Sequence, residues 1–568
     1  MSYTPPVAEQ LFVLDNVVGI AELAKHSAFS SATPDMVEAI VQGAGDFAAR
    51  EYAPLNRIGD TAGAAWKDGA VTMPPGFREA YRAFVEAGWG GINGPEAFGG
   101  QGLPFALASV VLEGLGSANM AFSLVNMLTP GAIEALIAHG TDDQRKQWMP
   151  RLVTGEWTGT MNLTEPQAGS DVGALRTRAE PADDGSWRIK GTKIFITFGE
   201  HDLTDNIVHL VLARTPGAPA GTKGISMFLV PKFRIDADGA PTVPNDVRCV
   251  SIEHKLGIHA SPTCVMSYGD ADDCHGWLVG EENGGMRAMF TMMNNARLNV
   301  GLQGVQIGEQ ATQEAIAYAR ERVQSGKPII DHPDVRRMLM RMKAQTQAAR
   351  ALVYYAAGQL DRAHLGDDGA KARLDLLTPL AKAHGTDLGC EIASIGVQVH
   401  GGMGFIEEGG AAQLYRDVRI TPIYEGTNGI QAADLVGRKL GMEGGAVFAA
   451  LVADIRADCA GETALAELVN SVEAAGRWLS GNEASAEDRL AGSYPFLTML
   501  SVATCGWLMV RQARIAGEAQ GDATFLQMKQ ATARYYLDHI VPEAMGLAAA
   551  ATAGAELLYS IDAETLSA

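Results

Sequence analysis

The stretch MNLTEPQAGSD, residues 161–171, lies where the sequence changes from a helical pattern to a strand pattern. It is a polar turn with an apolar start and hydroxyl groups near both ends, and Gly169 lets another backbone approach closely. Such a turn can offer backbone N–H groups and hydroxyls to a heterocycle or a phosphate. The same residues also fit a plain turn from a strand into a loop, so both interpretations stay open at this point.

Around this stretch, residues 156–282 contain short runs with a period of two, bounded by Gly, Pro, Asp and Asn. This pattern predicts a small antiparallel β-barrel or sandwich. The strands are predicted at residues 187–190, 193–197, 207–213, 225–230 and 264–268.

Helical patterns fill the chain on both sides of the predicted strands. Long segments at 286–322, 334–363 and 370–400, with a further segment after Tyr424, predict a four-helix bundle. The order of helices, strands and helices predicts an α+β fold that is mostly helical, and it disfavours a doubly wound sheet. The predicted domains are an N-terminal helical domain (1–155), a central β domain (156–282), a C-terminal four-helix bundle (283–442) and an additional helical domain (443–568).

The composition excludes several classes of protein. The 568 residues include 45 Lys and Arg against 66 Asp and Glu, a net charge of −21, which argues against a nucleic-acid partner. The six cysteines show no CxxC spacing, so neither a metal site nor a disulfide framework is expected, and reduced thiols favour the cytoplasm. No apolar run reaches the ~20 residues of a membrane span. The nearest run, 496–510, is predicted to be a buried helix.

Three further segments carry groups suited to chemistry. KIFIT, residues 193–197, is an alternating strand that places Phe195 and Thr197 on one face. PIYEGTNGIQ, residues 422–431, contains a carboxylate that is either a general base at the mouth of a pocket or a solvated surface group. QVHGGMGF, residues 398–405, either admits a phosphate or caps a helix. The sequence contains no GxGxxG or P-loop motif.

Taken together, these segments resemble the acyl-CoA dehydrogenase family. TEPQAGSD, KIFITFG, HKLGIHASPTC, QVHGGMGF and IYEGTNGIQ occur in that family's order and spacing, over residues 30–440. The resemblance implies an enzyme that oxidises the CH–CH bond of an acyl-CoA, with FAD bound noncovalently across a subunit interface. It also implies electron-transfer flavoprotein as the electron acceptor, and a homodimer or a tetramer built as a dimer of dimers.

The resemblance also implies roles for individual positions. The expected FAD contacts are Leu163, Thr164, Ser170, Phe195, Thr197, Arg322, Gln398, Gly401, Gly402 and Thr427. The expected substrate contacts are Ser170, Arg297, Tyr424 and Gly426. Phe195 stands where the family usually has Trp, Ser325 where many relatives have an aromatic residue, and Gly429 where Gln is common. The last two departures bear on how adenine is held.

The family has used two positions for the base that removes the α-proton of the substrate. One is the Glu of YEGT, which is Glu425 here. The other precedes an Arg in a helix that begins near residue 290; here it is Ala296, followed by Arg297, and it supplies no carboxylate. Glu425 is therefore the expected catalytic base. The resemblance implies that the α-proton passes to Glu425 and the β-hydride to flavin N5, which forms a trans-2-enoyl-CoA.

The chain length, the tail and the N-terminal segment VAEQLFVLDNVV resemble a long bacterial branch of the family. That branch includes an enzyme that acts on 3-(methylthio)propanoyl-CoA in dimethylsulfoniopropionate breakdown, and this thioester is the expected substrate. A short-, medium- or long-chain fatty acyl-CoA is the alternative, and an acyl-CoA oxidase would share the fold. A DNA-associated member would need a basic C-terminal surface, whereas residues 443–568 contain 7 Lys and Arg against 16 Asp and Glu.

Overall fold

The computed structural model describes residues 3–568, apart from the side chain of residue 294. Its helices α1–α19 are, in chain order, Val7–Val13, Ile20–Leu23, Pro34–Phe47, Asn56–Ala62, Phe77–Glu86, Phe105–Ala118, Met120–His139, Asp142–Thr154, Gly285–Glu321, Pro333–His364, Asp368–His400, Ala411–Val418, Asn428–Asp434, Ala446–Asp458, Thr463–Ser480, Ala486–Glu518, Ala523–Tyr535, Val541–Met545 and Ala548–Ala551. Its strands β1–β14 are Ala65–Lys67, Ala70–Thr72, Thr158–Asn162, Arg178–Pro181, Trp187–Thr197, Ile207–Ala213, Ser226–Pro231, Phe233–Arg234, Val243–Pro244, Val247–Ile252, Thr263–Tyr268, His275–Val279, Val323–Gln324 and Lys327–Pro328. The predicted α+β, mostly helical fold is confirmed.

The chain folds into two compact units. The first comprises residues 3–5 and Gln42–Ala296, and the second comprises Pro6–Val41 and Arg297–Ala568. Residues 6–41 therefore belong with the C-terminal helices and not with the helices that follow them in sequence. This division is coarser than the four predicted domains, whose boundaries remain a prediction.

A buried polar network explains why the N-terminal helix α1 belongs to the second unit. The Lys529 ammonium donates to Glu9 Oε1 at 2.8 Å and to Gln512 Oε1 at 2.7 Å. Gln347 Nε2 donates to the other carboxylate oxygen of Glu9 at 3.0 Å. Because all four side chains are buried, these bonds link α1 to α10, α16 and α17 where water does not compete.

In the first unit, polar caps divide the long apolar helices. Asn119 separates α6 from α7, and its side chain accepts a hydrogen bond from the Phe122 backbone N–H at 3.1 Å. Thr141 begins α8 with a capping box, in which its hydroxyl accepts from the Gln144 N–H and the Gln144 side chain accepts from the Thr141 N–H. These caps satisfy backbone donors at the start of each helix that have no partner within it.

The central β domain is an eight-stranded sheet in the order β10-β11-β5-β12-β7-β6-β3, with β4 paired to β5. The strands of this sheet pair antiparallel apart from β3, which runs parallel to β6. Its core includes Ile189, Val211, Phe228, Met266 and Tyr268. The predicted antiparallel β domain is confirmed with the exception of β3.

Strand β3 is absent from the predicted strands because its sequence, TGTMN, lacks an apolar alternation. Every residue of β3 is nevertheless buried. The Thr160 hydroxyl lies 2.7 Å from His209 Nδ1, and Asn162 Oδ1 accepts from the Tyr268 hydroxyl at 2.7 Å. Internal hydrogen bonds therefore satisfy polar groups that a hydrophobicity pattern would assign to the surface.

Strand β5 contains a β-bulge opposite β11. Met266 pairs with Lys193 and Cys264 with Ile196, so β5 has one extra residue between these pairs. Phe195, inside the bulge, has a left-handed φ of 61°. Lys193 and Ile196 are both buried as a result, whereas Phe195 is 58% exposed. The strict alternation predicted for this strand is therefore interrupted, although Phe195 stays on its open side.

In the second unit, the part of α9 from Arg297 onward packs with α10, α11 and α13 as the predicted bundle. Helices α9 and α11 approach so closely that a Cβ added to Gly304 would lie 1.8 Å from the Gly385 carbonyl oxygen. Arg350 in α10 donates to Glu309 in α9 at 2.7 Å, and both side chains are buried. Helix α13 continues as a π-helix over Leu435–Lys439. Glycine at the contact thus permits the backbone packing on which the bundle depends.

Helices α14–α19 form the additional C-terminal region, in which α16 is the longest. The prediction that residues 496–510 are buried is confirmed, since Phe496, Leu500 and Leu508 are each 0% exposed. Helices α7 and α16 are long and apolar enough to cross a membrane by length and composition alone. Most of each is buried inside the protein, as is usual for core helices.

Candidate active site

The MNLTEPQAGSD turn is held against β5 by a buried ion pair. Lys193 Nζ lies 2.8 Å from Glu165 Oε1, and the two side chains are 0% and 4% exposed. The same ammonium donates to the Leu163 carbonyl oxygen at 2.9 Å. The Ile194 N–H donates to the Thr164 carbonyl oxygen, also at 2.9 Å. Three consecutive residues of the turn are therefore tied to one strand.

The charges of this pair are stabilised by their surroundings. Glu165 also accepts hydrogen bonds from the backbone N–H groups of Arg176, at 2.7 Å, and Thr177, at 2.9 Å. Burial raises the pKa of a carboxyl, but the Lys193 ammonium and these donors outweigh burial and hold the pKa of Glu165 at about 2. Burial lowers the pKa of Lys193 to about 8, and Glu165 opposes that decrease. Both groups are therefore ionised at neutral pH.

The predicted FAD contacts of the first unit lie on the turn and on the open side of β5. Leu163, Thr164 and Thr197 are partly exposed, and Ser170 is exposed, as Phe195 is. Within the described part of the chain, the hydroxyls of Thr164, Ser170 and Thr197 make no hydrogen bond. Open hydroxyls and apolar side chains beside a rigidly held backbone fit a heterocycle with an attached phosphate, as FAD requires.

Glu425 occupies a left-handed turn just before α13. Its φ is 55° and that of Gly426 is 82°. A left-handed φ is uncommon in a residue with a side chain, and such residues concentrate at functional sites. Gln431 Nε2 donates to the carbonyl oxygens of Glu425 and Gly426 at 3.5 and 3.4 Å. The Tyr424 hydroxyl donates to Gln303, so side chains hold the turn at two points.

Two buried cations act on the Glu425 carboxyl. Arg297 in α9 is 7% exposed, and Lys382 in α11 is 0% exposed. Exclusion of water raises the pKa of Glu425 above its usual value, while Arg297 and Lys382 act in the opposite direction. Among the residues that the structure describes, Arg297 Nε has no hydrogen-bond partner. Ala296, before Arg297 in α9, offers no carboxylate at the alternative position.

Four of the remaining predicted FAD contacts lie at one exposed end of the bundle. The rings of Tyr318 and His400 lie 4.5 Å apart, which brings the C-terminal ends of α9 and α11 together. The exposed residues there are Arg322, Gln398, Gly401 and Gly402. The side chains of Arg322 and Gln398 make no polar contact with any group that the structure describes. This end of the second unit therefore presents polar groups to solvent.

Three of the positions discussed above have a local structural role. The Thr427 hydroxyl caps α13 by accepting from the Ile430 N–H at 3.1 Å. Ser325 and Gly326, with φ of 51° and 78°, form the two-residue turn between β13 and β14, as a type I′ hairpin requires. Gly429 is exposed in the first turn of α13.

Four charged and polar residues that support these positions are not among the predicted site residues. Glu165 and Lys193 hold the MNLTEPQAGSD turn, while Lys382 and Asn428 lie beside the loop of Glu425. The sequence feature that indicates the two lysines is their position inside apolar stretches, GTKIFI for Lys193 and PLAKAH for Lys382. A lysine in such a stretch indicates a buried charge that needs partners.

Four family models match the chain in sequence order. The N-terminal domain of acyl-CoA dehydrogenase matches residues 34–156, the middle domain 160–271 and the C-terminal domain 283–440. A model described as acetyl-CoA dehydrogenase C-terminal like matches residues 451–562.

Individual proteins and structures agree with these models. The chain is 45% identical over 572 residues to the 3-methylmercaptopropionyl-CoA dehydrogenase of Ruegeria pomeroyi, covering 96% of this chain and 97% of that protein. It is 36% identical over 538 residues to a butyryl-CoA dehydrogenase of Syntrophomonas wolfei, covering 87% of each. The crystal structure of a Bacillus anthracis acyl-CoA dehydrogenase complexed with FAD shares the fold, with a TM-score of 0.77, 22% identity, and coverage of 95% of this chain and 91% of that one. The chain therefore belongs to the acyl-CoA dehydrogenase family, the FAD-dependent oxidoreductases that act on the CH–CH bond of acyl-CoA thioesters.

Proposed function

We propose that this chain converts an acyl-CoA to a trans-2-enoyl-CoA, with Glu425 as the base that removes the α-proton. The observation that carries the proposal is a carboxyl held in a left-handed turn, with a pKa raised by exclusion of water. The α-proton of a thioester is too weakly acidic for a carboxylate in water. A carboxyl with a raised pKa is a stronger base, which brings the two acidities closer.

The groups around Glu425 assist this proton transfer. Among the described residues the backbone N–H of Glu425 has no acceptor, so it can donate to the thioester oxygen and stabilise the enolate charge. Arg297 supplies positive charge beside the loop, while Tyr424 and Gly426 shape the turn. We infer that the residues in contact with the substrate are Ser170, Arg297, Tyr424 and Gly426. FAD, when bound, supplies the two-electron acceptor for the β-hydrogen.

We infer that FAD is held by two sets of residues. The set in the first unit consists of Leu163, Thr164, Ser170, Phe195 and Thr197. In the second unit, Arg322, Gln398, Gly401 and Gly402 would serve the FAD of the neighbouring subunit, and Thr427 would lie by the adenosine half of the cofactor. The open hydroxyls of the first set and the exposed polar groups of the second support this assignment.

The proposed substrate is 3-(methylthio)propanoyl-CoA. The support is the 45% identity to the Ruegeria pomeroyi enzyme over nearly the whole of both chains. A fatty acyl-CoA is the second candidate, because the Syntrophomonas wolfei butyryl-CoA dehydrogenase is 36% identical over 87% of each chain. The methylthio acyl chain is one atom longer than butyryl and matches pentanoyl, so pentanoyl-CoA is the substrate that differs from it only by a methylene in place of sulfur.

We propose a homodimer as the minimal assembly, electron-transfer flavoprotein as the acceptor and the cytoplasm as the location. The exposed end of α9 and α11 supports the dimer, because its polar groups have no partners among the residues described. The six cysteines are free thiols, which agrees with a reducing compartment. Light scattering that finds a monomer of about 60 kDa with stoichiometric FAD would contradict the dimer.

The test of the substrate is a series of kcat/KM values with 3-(methylthio)propanoyl-CoA, butyryl-CoA and longer straight-chain acyl-CoAs. The methylthio substrate should exceed the others by about tenfold, the discrimination that one altered methylene position provides. Product analysis should find the 2-enoyl thioester with an artificial electron acceptor, and oxygen uptake should be negligible. Equal or higher kcat/KM for a straight-chain substrate would move the assignment to the fatty acyl-CoA alternative, and rapid peroxide formation would indicate an oxidase.

A further inference from the structure

Lys382 is a buried cation that the reaction as proposed does not use. It lies in α11 with a fully buried side chain, and its ammonium donates to Asn428 Oδ1 at 2.8 Å. Asn428 begins α13, three residues after Glu425. Within the described residues, Asn428 Oδ1 is the single hydrogen-bond acceptor of this ammonium, which has three N–H donors. A positive charge is therefore held beside Glu425 with fewer partners than an ammonium normally has.

A chain of hydrogen bonds connects this lysine to the C-terminal region. Asn428 Nδ2 donates to Asp387 Oδ1 at 2.8 Å, and also to the Ala383 carbonyl oxygen at 3.1 Å. The other oxygen of Asp387 accepts from the Tyr494 hydroxyl at 2.6 Å. Tyr494 lies in α16 and is 38% exposed, so it is the outer end of the chain. A residue of the additional region is therefore three hydrogen bonds from Lys382.

The charged groups that act on Glu425 and Lys382 come from α9, α11 and the loop before α13. Arg297 from α9 and Lys382 from α11 both lower the pKa of Glu425, against the effect of burial. Lys382 in turn responds to Glu425, Asp387 and Arg297, and burial lowers its own pKa to about 8. The neighbouring phenol of Tyr424 is bonded to Gln303 and stays neutral, since burial raises its pKa. Lys382 is thus protonated at neutral pH and opposes the effect of burial on Glu425.

We propose that Lys382 is a positioning residue that holds a positive charge beside Glu425, and that its placement depends on Tyr494 in α16. This inference rests on the proposed function, because Glu425 must be the base. The additional C-terminal region then contributes to catalysis through one hydroxyl as well as to packing. Asn428 bonds to the Lys382 ammonium, Asp387 bonds to the Tyr494 hydroxyl, and the bond between Asn428 and Asp387 connects the two ends.

The first test is the pH dependence of kcat/KM for Lys382→Met, measured with the best acyl-CoA substrate. The acid limb reports the protonation of the base in the free enzyme. Removing a nearby cation raises the pKa of a carboxyl, so the limb should move to higher pH by about one unit, with an about tenfold loss of kcat/KM below it. FAD content, measured by absorbance, shows that the variant is folded. An unmoved limb in a variant with full FAD would overturn the inference.

The second test keeps the proposal testable if Lys382→Met does not fold. Tyr494→Phe removes one hydroxyl, and Asp387, having lost a donor, should attract the Lys382 ammonium away from Glu425. The acid limb should therefore move to higher pH by less than it does in Lys382→Met, and kcat/KM below the limb should fall about two- to threefold. Tyr559→Phe, at an exposed tyrosine of the same region, is the matched control and should leave the profile unchanged.

Combining the variants separates the outcomes. In the Lys382→Met background, Tyr494→Phe should cause no further shift, because its effect passes through the lysine. The same shift in both backgrounds would contradict the proposed connection. If Glu425→Gln is inactive but the acid limb moves in neither Lys382→Met nor Tyr494→Phe, the positioning role fails and the proposed function stands. If Glu425→Gln stays active, the proposed function itself fails.

Discussion

Two glutamates lie near two buried lysines in this protein, one pair in each compact unit. The pKa values of the two carboxyls are shifted in opposite directions. In the first unit, Glu165 contacts Lys193 at 2.8 Å and its pKa is held at about 2. In the second, Lys382 bonds to Asn428 instead, and the pKa of Glu425 is raised. The residue types are the same, so the difference lies in contact and hydrogen bonding.

The comparison separates an architectural pair from a reactive group. Glu165 accepts two backbone N–H groups in addition to the ammonium, and these interactions stabilise its ionised form. Glu425 has positive charge nearby but no direct ion pair within the described chain, so exclusion of water dominates its pKa. A carboxylate in a saturated ion pair cannot readily take a proton, whereas one held apart from its cation can.

The largest expected effect is the loss of turnover in Glu425→Gln. Gln keeps the shape of the side chain and cannot accept a proton, so kcat should fall by about 10⁴ or more. FAD content should remain normal. The matched control is Glu467→Gln, at an exposed position of α15, which should retain full activity. If Glu425→Gln keeps more than about a tenth of the activity, the base has been assigned wrongly.

The next effect is structural and tests the other pair. Lys193→Met leaves the Glu165 carboxylate buried without its cation, which should lower the free energy of unfolding by about 3–5 kcal/mol. FAD content should also decrease, because the turn loses its tie to β5. Lys190→Met is the control and should change the free energy of unfolding little, since this lysine lies on the same strand in an exposed ion pair with Asp272 that solvent screens. Similar losses in both variants would show that burial of the pair is unimportant.

A third prediction compares the stability of the two Glu→Gln variants at different pH. The folded pKa of Glu165 lies below its ordinary value, so the carboxylate stabilises the fold above pH 4.5 and this contribution is lost as the pH falls towards about 2. Glu165→Gln should therefore be less stable than the natural protein at pH 7, with a smaller difference in acid.

For Glu425 the sign is opposite. Its raised pKa means that ionisation destabilises the folded state as the pH rises above the ordinary value, so Glu425→Gln should be more stable than the natural protein at pH 7. Urea unfolding at several pH values, with FAD saturating, measures both differences. The same sign for both variants at pH 7 would contradict the comparison.

The smallest effect concerns helix capping in the two units. Thr141→Ala and Thr427→Ala each remove a hydroxyl that caps a helix, α8 in the first unit and α13 in the second. Each should lower the free energy of unfolding by about 1 kcal/mol. Thr427→Ala should in addition weaken FAD binding, measured by titration of the apoprotein, whereas Thr141→Ala should not. Equal FAD affinity in the two variants would remove Thr427 from the cofactor site.

Much of the fold could be predicted because its elements carry a local signal. Apolar spacing predicts a helix over 286–322, and α9 spans Gly285–Glu321. The predicted strand 207–213 coincides with Ile207–Ala213. Strand β3 could not be predicted in this way, because its buried threonine and asparagine are satisfied by residues far along the chain. The placement of α1 in the second unit depends likewise on Lys529, which is 520 residues from Glu9.

The sequence by itself determined the order of helices and strands, the motifs typical of the acyl-CoA dehydrogenase family and the glutamate at position 425. These features depend on residue types at short spacing, which a single chain displays directly. Only the tertiary structure decided that Lys193 meets a carboxylate 28 residues away while Lys382 meets an amide 46 residues away. The protonation of a buried group depends on which polar atoms and how much water surround it. Packing of distant segments sets both, and neither is visible in the local sequence.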